Sequence, residues 1–155
     1  MRNLIVGCGR NIATPGTGSH HHMIAHGGVH RPDDVTMDRN AAVQPDIQAD
    51  IFQALPAGPP LDPGSFDAVH FECVGVSPAQ FGAANVLRAF QNAYALLRAG
   101  GWIMIESGLA LQQEAAALMG LLGTAGFQRI GVENFSGERI GGREIAGRVL
   151  MGKKP

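Results

Sequence analysis

Short apolar runs, each followed by a glycine or an acidic residue, punctuate the first two thirds of this chain. Runs of this kind, bounded by turn-forming residues, are typical of strands buried in a sheet. The first run gives way directly to Gly7, and two others give way to Asp38 and Glu72. The pattern predicts strands over residues 2–6, 35–37, 46–50, 66–71 and 102–106.

Two segments between or after these runs have helical spacing instead. The first starts with the sequence SPAQ at residues 77–80, in which serine caps the helix, proline suits its first position and glutamine completes a capping box. We expect one helix from there to the glycine pair 100–101. Its apolar face comprises Leu87, Phe90, Tyr94 and Leu97, and that of a second helix comprises Leu111, Ala115, Leu118 and Leu122, with Gly126 just beyond its end.

The last part of the chain has a different order of elements. Residues 127–133 and 145–151 read as strands, and the segment between them contains turn residues but no helical pattern. This arrangement predicts an antiparallel hairpin at the edge of the sheet. Strands that alternate with helices before it predict an α/β fold: a Rossmann-like, doubly wound and mostly parallel sheet with helices on both faces. With 155 residues, we expect residues 1–155 to form a single domain.

The turn after the first strand, Gly7-Cys8-Gly9, is where a doubly wound protein holds a nucleotide-like ligand. A dinucleotide fingerprint has a third glycine three residues further on, where this chain has Ile12. Asp38, after the second strand, can accept hydrogen bonds from both ribose hydroxyls and would repel a 2′-phosphate. The residues therefore indicate an adenosine-type ligand without phosphate, or NAD bound through an incomplete fingerprint.

Five stretches, in order along the chain, resemble the motifs of class I S-adenosylmethionine-dependent methyltransferases. They are LIVGCGRN at 4–11, TMDRN at 36–40, PDIQADI at 45–51, GSFDAVHFECV at 64–74 and LLRAGGWIMIESG at 96–108. The resemblance implies a methyltransferase with S-adenosyl-L-methionine as its cofactor. Two departures stand out: Asn11 occupies a position where a glycine is usual, and residues 12–31 replace the usual first helix with a sequence poor in helix formers.

The resemblance also implies which residues bind the cofactor. They are Gly7, Cys8 and Gly9 under the methionine part, Asp38 at the ribose, Asp50 and the backbone of Ile51 at the adenine, and Phe71, Glu72 and Cys73 along the far side. Other interpretations stay open for three of these features. The two glycines suit any tight turn, Asp38 suits a solvated turn, and Asp50 suits the N-cap of a short helix over residues 51–55.

A histidine-rich segment follows the glycine turn. It contains His20, His21, His22, His26 and His30. We favour a polar loop over the ligand mouth, because a zinc site would need ligands beyond the pair His22 and His26, and no paired C-x-x-C or H-E-x-x-H motif is present. A histidine acting as general base is a further alternative. We therefore predict no metal.

Composition and charge narrow the function further. The formal net charge is -1, which does not favour binding to nucleic acid, and no apolar run reaches the length of a membrane span, so we expect a cytoplasmic protein. Residues 72–75 read ECVG, whereas amino-directed DNA methyltransferases have [D/N]-P-P-[Y/F] there. We expect the methyl acceptor to be a small molecule or a group presented by a protein partner. The alternatives are a non-catalytic methyltransferase-like binding module and, less favoured, an NAD-dependent oxidoreductase.

Overall fold

The apolar runs pair into one sheet in the computed structural model, which describes residues 1–7, 33–72, 74–106, 108–138 and 144–155. The strands are β1 (Asn3–Val6), β2 (Val35–Asp38), β3 (Ile47–Gln48), β4 (Phe66–Phe71), β5 (Leu97–Ile105), β6 (Gln128–Glu138) and β7 (Glu144–Lys153). Their spatial order is β3-β2-β1-β4-β5-β7-β6. The first five pair in parallel, while β7 is antiparallel to both β5 and β6. The mostly parallel α/β sheet and its antiparallel C-terminal hairpin are therefore confirmed.

The helices cover the centre of this sheet. They are α1 (Pro78–Phe81), α2 (Ala83–Leu96), α3 (Gly108–Gln113) and α4 (Ala115–Thr124), and a single 3-10 turn spans Ala41–Val43. Helix α2 packs on β4 and β5 and against α4. All four residues of β1 are buried, so both faces of this central strand are covered, in keeping with the apolar run Leu4-Ile5-Val6.

The prediction of one helix from residue 77 to the glycine pair 100–101 is wrong in two respects: the segment forms two helices, and the second ends before the glycines. Gly82 has a φ of 84°, which is outside the helical region and separates α1 from α2. Helix α2 stops at Leu96, and both glycines lie inside β5. The register against β4 shifts there, and a Cβ on Gly101 would lie 2.9 Å from the carbonyl oxygen of Asp67. Gly101 thus serves close strand packing rather than a helix end, while Gly100 has a left-handed φ of 77° inside β5.

The second predicted helix is also divided, with α3 and α4 meeting at Glu114. Its C-terminal signal is confirmed. Gly126 has a φ of 104°, its N–H donates to the carbonyl of Gly123 at 3.0 Å, and the N–H of Phe127 donates to that of Leu122 at 3.1 Å. These two bonds form a Schellman motif, which needs a residue that tolerates the left-handed conformation.

No helix in the described parts of the chain is long and apolar enough to cross a membrane.

Asp67, in β4, fastens the amino end of the sheet. Its carboxylate accepts a hydrogen bond from the backbone N–H of Arg2 and forms an ion pair with Arg98 at the start of β5. The pKa of Asp67 lies below its ordinary value of 3.8. The hydrogen bond from the N–H of Arg2 is the largest cause, and the positive charge of Arg98 lowers the pKa further.

A carboxylate with a lowered pKa stabilises the folded state above its ordinary pKa, and this contribution is lost as the pH falls through the pKa of the folded state. We therefore expect Asp67→Asn to lower the free energy of unfolding near pH 7, and the gap between variant and wild type to narrow below about pH 4. Urea unfolding of both proteins over a pH series measures the gap. If the difference in free energy of unfolding between variant and wild type stays constant as the pH falls, Asp67 does not stabilise the fold through a lowered pKa.

Candidate functional site

A cleft of about 140 Å³ opens at the carboxyl ends of the parallel strands. It lies at the end of β1, where the strand order runs outward through β2 on one side and β4 on the other. This reversal is the place where open α/β sheets bind their ligands. The lining comes from the ends of β1 and β2, the turn after β3, the segment after β4 and the end of α1.

Gly7 forms the inner wall of the cleft immediately after β1. Its φ is 74°, and its N–H donates to the carbonyl of Met37 in β2 at 2.9 Å. A side chain at this φ would be strained, so the turn needs glycine at its first position. The first residue of the predicted glycine turn is thereby placed at the cleft.

Asp38 lies at the end of β2 and lines the same cleft. One carboxylate oxygen accepts from the N–H of Asn40 at 2.9 Å, and the backbone carbonyl accepts from Ala49 at 3.1 Å. Asp38 therefore shapes the turn leaving β2 and also presents a half-buried carboxylate to the cleft. The two interpretations drawn from the sequence are compatible, because a carboxylate has two oxygens and about four acceptor positions.

Asp50 lines the cleft from a turn formed by residues 50–53, two residues beyond β3. Its Oδ1 accepts from the N–H of Phe52 at 3.0 Å, and its carbonyl accepts from Gln53 at 2.9 Å. The cap role is thus present, but it stabilises a single turn, and residues 51–55 form no helix. Ile51, only 2% exposed, lies beside it on the wall of the cleft.

Phe71 and Glu72 end β4 close to the cleft, but neither side chain is among those that line it in the described chain. The ring of Phe71 is buried and packs edge-on against Phe90, with centroids 6.0 Å apart. Glu72 is 1% exposed, and its backbone N–H donates to the carbonyl of Val6 at 3.0 Å. The lining at this strand end comes from the next described residues, Val74 and Gly75.

An aromatic pair at the cleft has no counterpart among the sequence predictions. The rings of Phe52 and Phe81 lie 5.8 Å apart at 30°, and Phe81 is 37% exposed. A Cβ on Gly75 would lie 2.7 Å from the Phe81 ring, so this glycine gives the ring its place. The sequence analysis did not include Phe81 in the apolar face of the predicted helix. A large aromatic residue outside that face was the one signal that could have identified it.

Helix α1, which carries Phe81, is held at its start by two side chains. The Ser77 hydroxyl accepts from the N–H of Gln80 at 3.2 Å, which confirms the predicted serine cap. Glu114, from the junction of α3 and α4, accepts from the N–H of Ala79 at 2.9 Å. The helix that carries Phe81 is therefore held both by its own cap residue, Ser77, and by Glu114, which is distant in sequence.

The cleft combines two carboxylates, one guanidinium from Arg39 and several apolar side chains. Such a lining suits a ligand with hydroxyl or amino donors on a flat apolar body. Several predicted residues lie outside the described parts of the chain. They are Cys8, Gly9, Cys73 and the histidines at 20, 21, 22, 26 and 30. Among the described residues, no group of three or more histidine, cysteine or acidic side chains could hold a metal ion.

No protein-family model matches this sequence, and no curated protein matches it. Solved structures do resemble it in fold. A sugar N-methyltransferase, KedS8 from a Streptoalloteichus species, is 16% identical, with a TM-score of 0.63 over 99% of this chain and 79% of that one. A SAM-dependent methyltransferase from Methanosarcina mazei is 13% identical, with a TM-score of 0.60 over 99% and 92%.

A possible histamine N-methyltransferase from Thermotoga maritima is 14% identical, with a TM-score of 0.58 over 99% of this chain and 82% of that one. At identities this low, the structural likeness establishes the fold alone. The acceptors of these proteins cannot be transferred to this chain. Together with the strand order and the position of the cleft, these likenesses show that the chain has the class I S-adenosylmethionine-dependent methyltransferase fold, as the ordered motifs predicted.

Proposed function

We propose that this protein is an S-adenosylmethionine-dependent methyltransferase that acts on a small molecule or on a group presented by a partner protein. The observation that carries the proposal is the meeting of Gly7, Asp38 and Asp50 around one cleft at the switch point of this fold. These three residues stand far apart in sequence, and each has the chemistry that one part of the cofactor requires.

The adenosine part fits the described walls of the cleft. Asp38 would accept from the ribose hydroxyls, since its Oδ1 is oriented by the N–H of Asn40 while the carboxylate faces the cleft. Asp50, oriented in the same way by the N–H of Phe52, would accept from the adenine amino group. The apolar side chains of Ile51, Phe52 and Phe81 would pack on the base. Neither carboxylate suits a phosphate.

The methionine part would lie toward Gly7, the residue that precedes Cys8 and Gly9 in the sequence. A glycine there lets the backbone come close to the ligand. The far side would be formed by the end of β4, with Phe71, Glu72 and Cys73. Because the Phe71 ring is buried against Phe90, this residue would contribute through its main chain.

S-adenosylmethionine supplies an electrophilic methyl group on its sulfonium, and transfer is an in-line displacement by the acceptor. The chain's contribution is to hold the donor, to orient the acceptor opposite the methyl group and to exclude water. The names of the neighbouring structures include a sugar and, as a possibility, histamine as acceptors of those proteins. Another neighbour is named a 16S rRNA (adenine(1408)-N(1))-methyltransferase, so the names of the neighbouring structures select no class of acceptor for this chain.

Binding distinguishes this proposal from a nicotinamide site. We expect calorimetric titration to show binding of S-adenosylhomocysteine and no comparable binding of NAD, because two carboxylates line the cleft where a dinucleotide would need an anion cradle. Clear binding of NAD, with no binding of S-adenosylmethionine or S-adenosylhomocysteine, would contradict the proposal.

Turnover distinguishes an enzyme from a non-catalytic binding module. We expect the protein, given methyl-labelled S-adenosylmethionine and a panel of small amines, alcohols and thiols, to move label into one chemical class, because the fold aligns a methyl donor at the cleft. Mass spectrometry identifies the labelled product. Tight cofactor binding with no transfer, either to this panel or to proteins in a cell extract, would favour the binding module.

Substitution of Asp38 tests the ribose contact. Asp38→Asn keeps an acceptor for the N–H of Asn40 but removes the charge, so we expect binding of S-adenosylhomocysteine to weaken by about 1.5–3 kcal/mol with little change in melting temperature. Asp62→Asn removes the same charge from an exposed loop and serves as the control. Unchanged affinity in Asp38→Asn would restrict Asp38 to the turn, and an equal loss in both variants would point to net charge alone.

A further inference from the structure

We propose that Asn92 is the positioning residue for adenine recognition: from helix α2 it fixes the 50–53 turn that presents Asp50 and Ile51 to the cleft. The inference rests on the proposed function, because it assumes that this wall of the cleft receives the adenine. It adds a residue that lies outside the cleft lining and acts through the turn.

The geometry of the contact is specific. The side-chain amide nitrogen of Asn92 donates to the carbonyl of Ile51 at 2.7 Å and to the carbonyl of Gln53 at 2.8 Å. A primary amide has two N–H donors, and here both are directed at one turn. The two acceptors are 41 and 39 residues away in sequence, so the contact is a tertiary one.

These bonds complete a network within the turn. The Asp50 carbonyl accepts from Gln53, and the Asp50 carboxylate accepts from Phe52, while Asn92 binds the two outward carbonyls. None of these four bonds uses the N–H of Ile51. The Asp50 carboxylate and the main-chain N–H of Ile51, which are adjacent in sequence, would then pair with the amino group and a ring nitrogen on the edge of adenine.

The turn depends on this contact because its own strand is short. Strand β3 has two residues, Ile47 and Gln48, and pairs only with β2 among the described strands. Helix α2, in contrast, is anchored through Phe90 and Ala93, which flank Asn92 and are fully buried. Asn92 therefore attaches the 50–53 turn, at the sheet edge, to a helix that is fixed in the core. A turn fixed before binding loses less conformational entropy when the ligand arrives.

The test compares S-adenosylhomocysteine with S-inosylhomocysteine, in which a keto oxygen replaces the adenine amino group. With the turn fixed, Asp50 accepts from the amino group and repels the keto oxygen, so we expect wild type to prefer S-adenosylhomocysteine by about tenfold or more. Asn92→Asp has the same size but no donor toward the two carbonyls. We expect it to weaken S-adenosylhomocysteine binding about tenfold and to reduce the preference between the ligands by at least about threefold.

The change in preference is the decisive readout, because a variant that is only less stable would bind both ligands in the wild-type ratio. Gln91→Glu introduces the same amide-to-carboxylate change at the adjacent, exposed position of α2, and we expect it to retain the wild-type ratio. Asn92→Ala removes the donors without adding a charge, improves helix propensity and should again lower the preference.

The outcomes separate the two proposals. If wild type binds S-adenosylhomocysteine and both Asn92 variants keep its affinity and its preference, the positioning role is overturned while the proposed function stands. If wild type binds neither sulfur nucleoside, the proposed function falls, and the role of Asn92 falls with it. A lowered preference in both Asn92 variants, with Gln91→Glu unchanged, supports the inference.

Discussion

The parallel pairing of β1 with two neighbours is the constraint on which the rest of the structure depends. Its residues Leu4, Ile5 and Val6 pair with β2 along one edge and with β4 along the other, and all three are buried. Because β1, β2 and β4 are parallel, their carboxyl ends lie at the same edge of the sheet. The strand order reverses at this point, and the cleft opens there.

The carboxylates in the cleft combine two tasks. Asp38 and Asp50 each bind a backbone N–H two residues ahead, which sets the turn, and each also faces the cleft. An acidic residue after a strand is suited to both, because a short side chain can hydrogen-bond its own backbone and still offer a second oxygen. The local turn thereby orients the group that a ligand would meet.

Long-range contacts determine how well that edge is ordered. Asn92 binds the 50–53 turn, and Glu114 binds the start of α1, which carries Phe81. Both side chains come from elements attached to the core, and both reach short segments that make few sheet contacts of their own. The cleft walls are therefore supported from α2 and from the junction of α3 and α4.

The sequence by itself determined the central strands, the antiparallel hairpin, the serine cap at Ser77 and the glycine beyond α4, because each depends on neighbours within a few residues. It also placed Gly7 and Asp38 at strand ends, which in a parallel sheet share one edge. Asp50 was predicted to end a strand over residues 46–50 but lies in a turn two residues beyond β3. It misassigned the glycine pair 100–101, since Gly101 allows β5 to approach the backbone of β4 and Gly100 has a left-handed φ of 77° within β5. Only the tertiary structure decided the contacts of Asn92 and Phe81. Their partners are far away along the chain or set by ring packing, and no local pattern encodes a hydrogen bond across 41 residues.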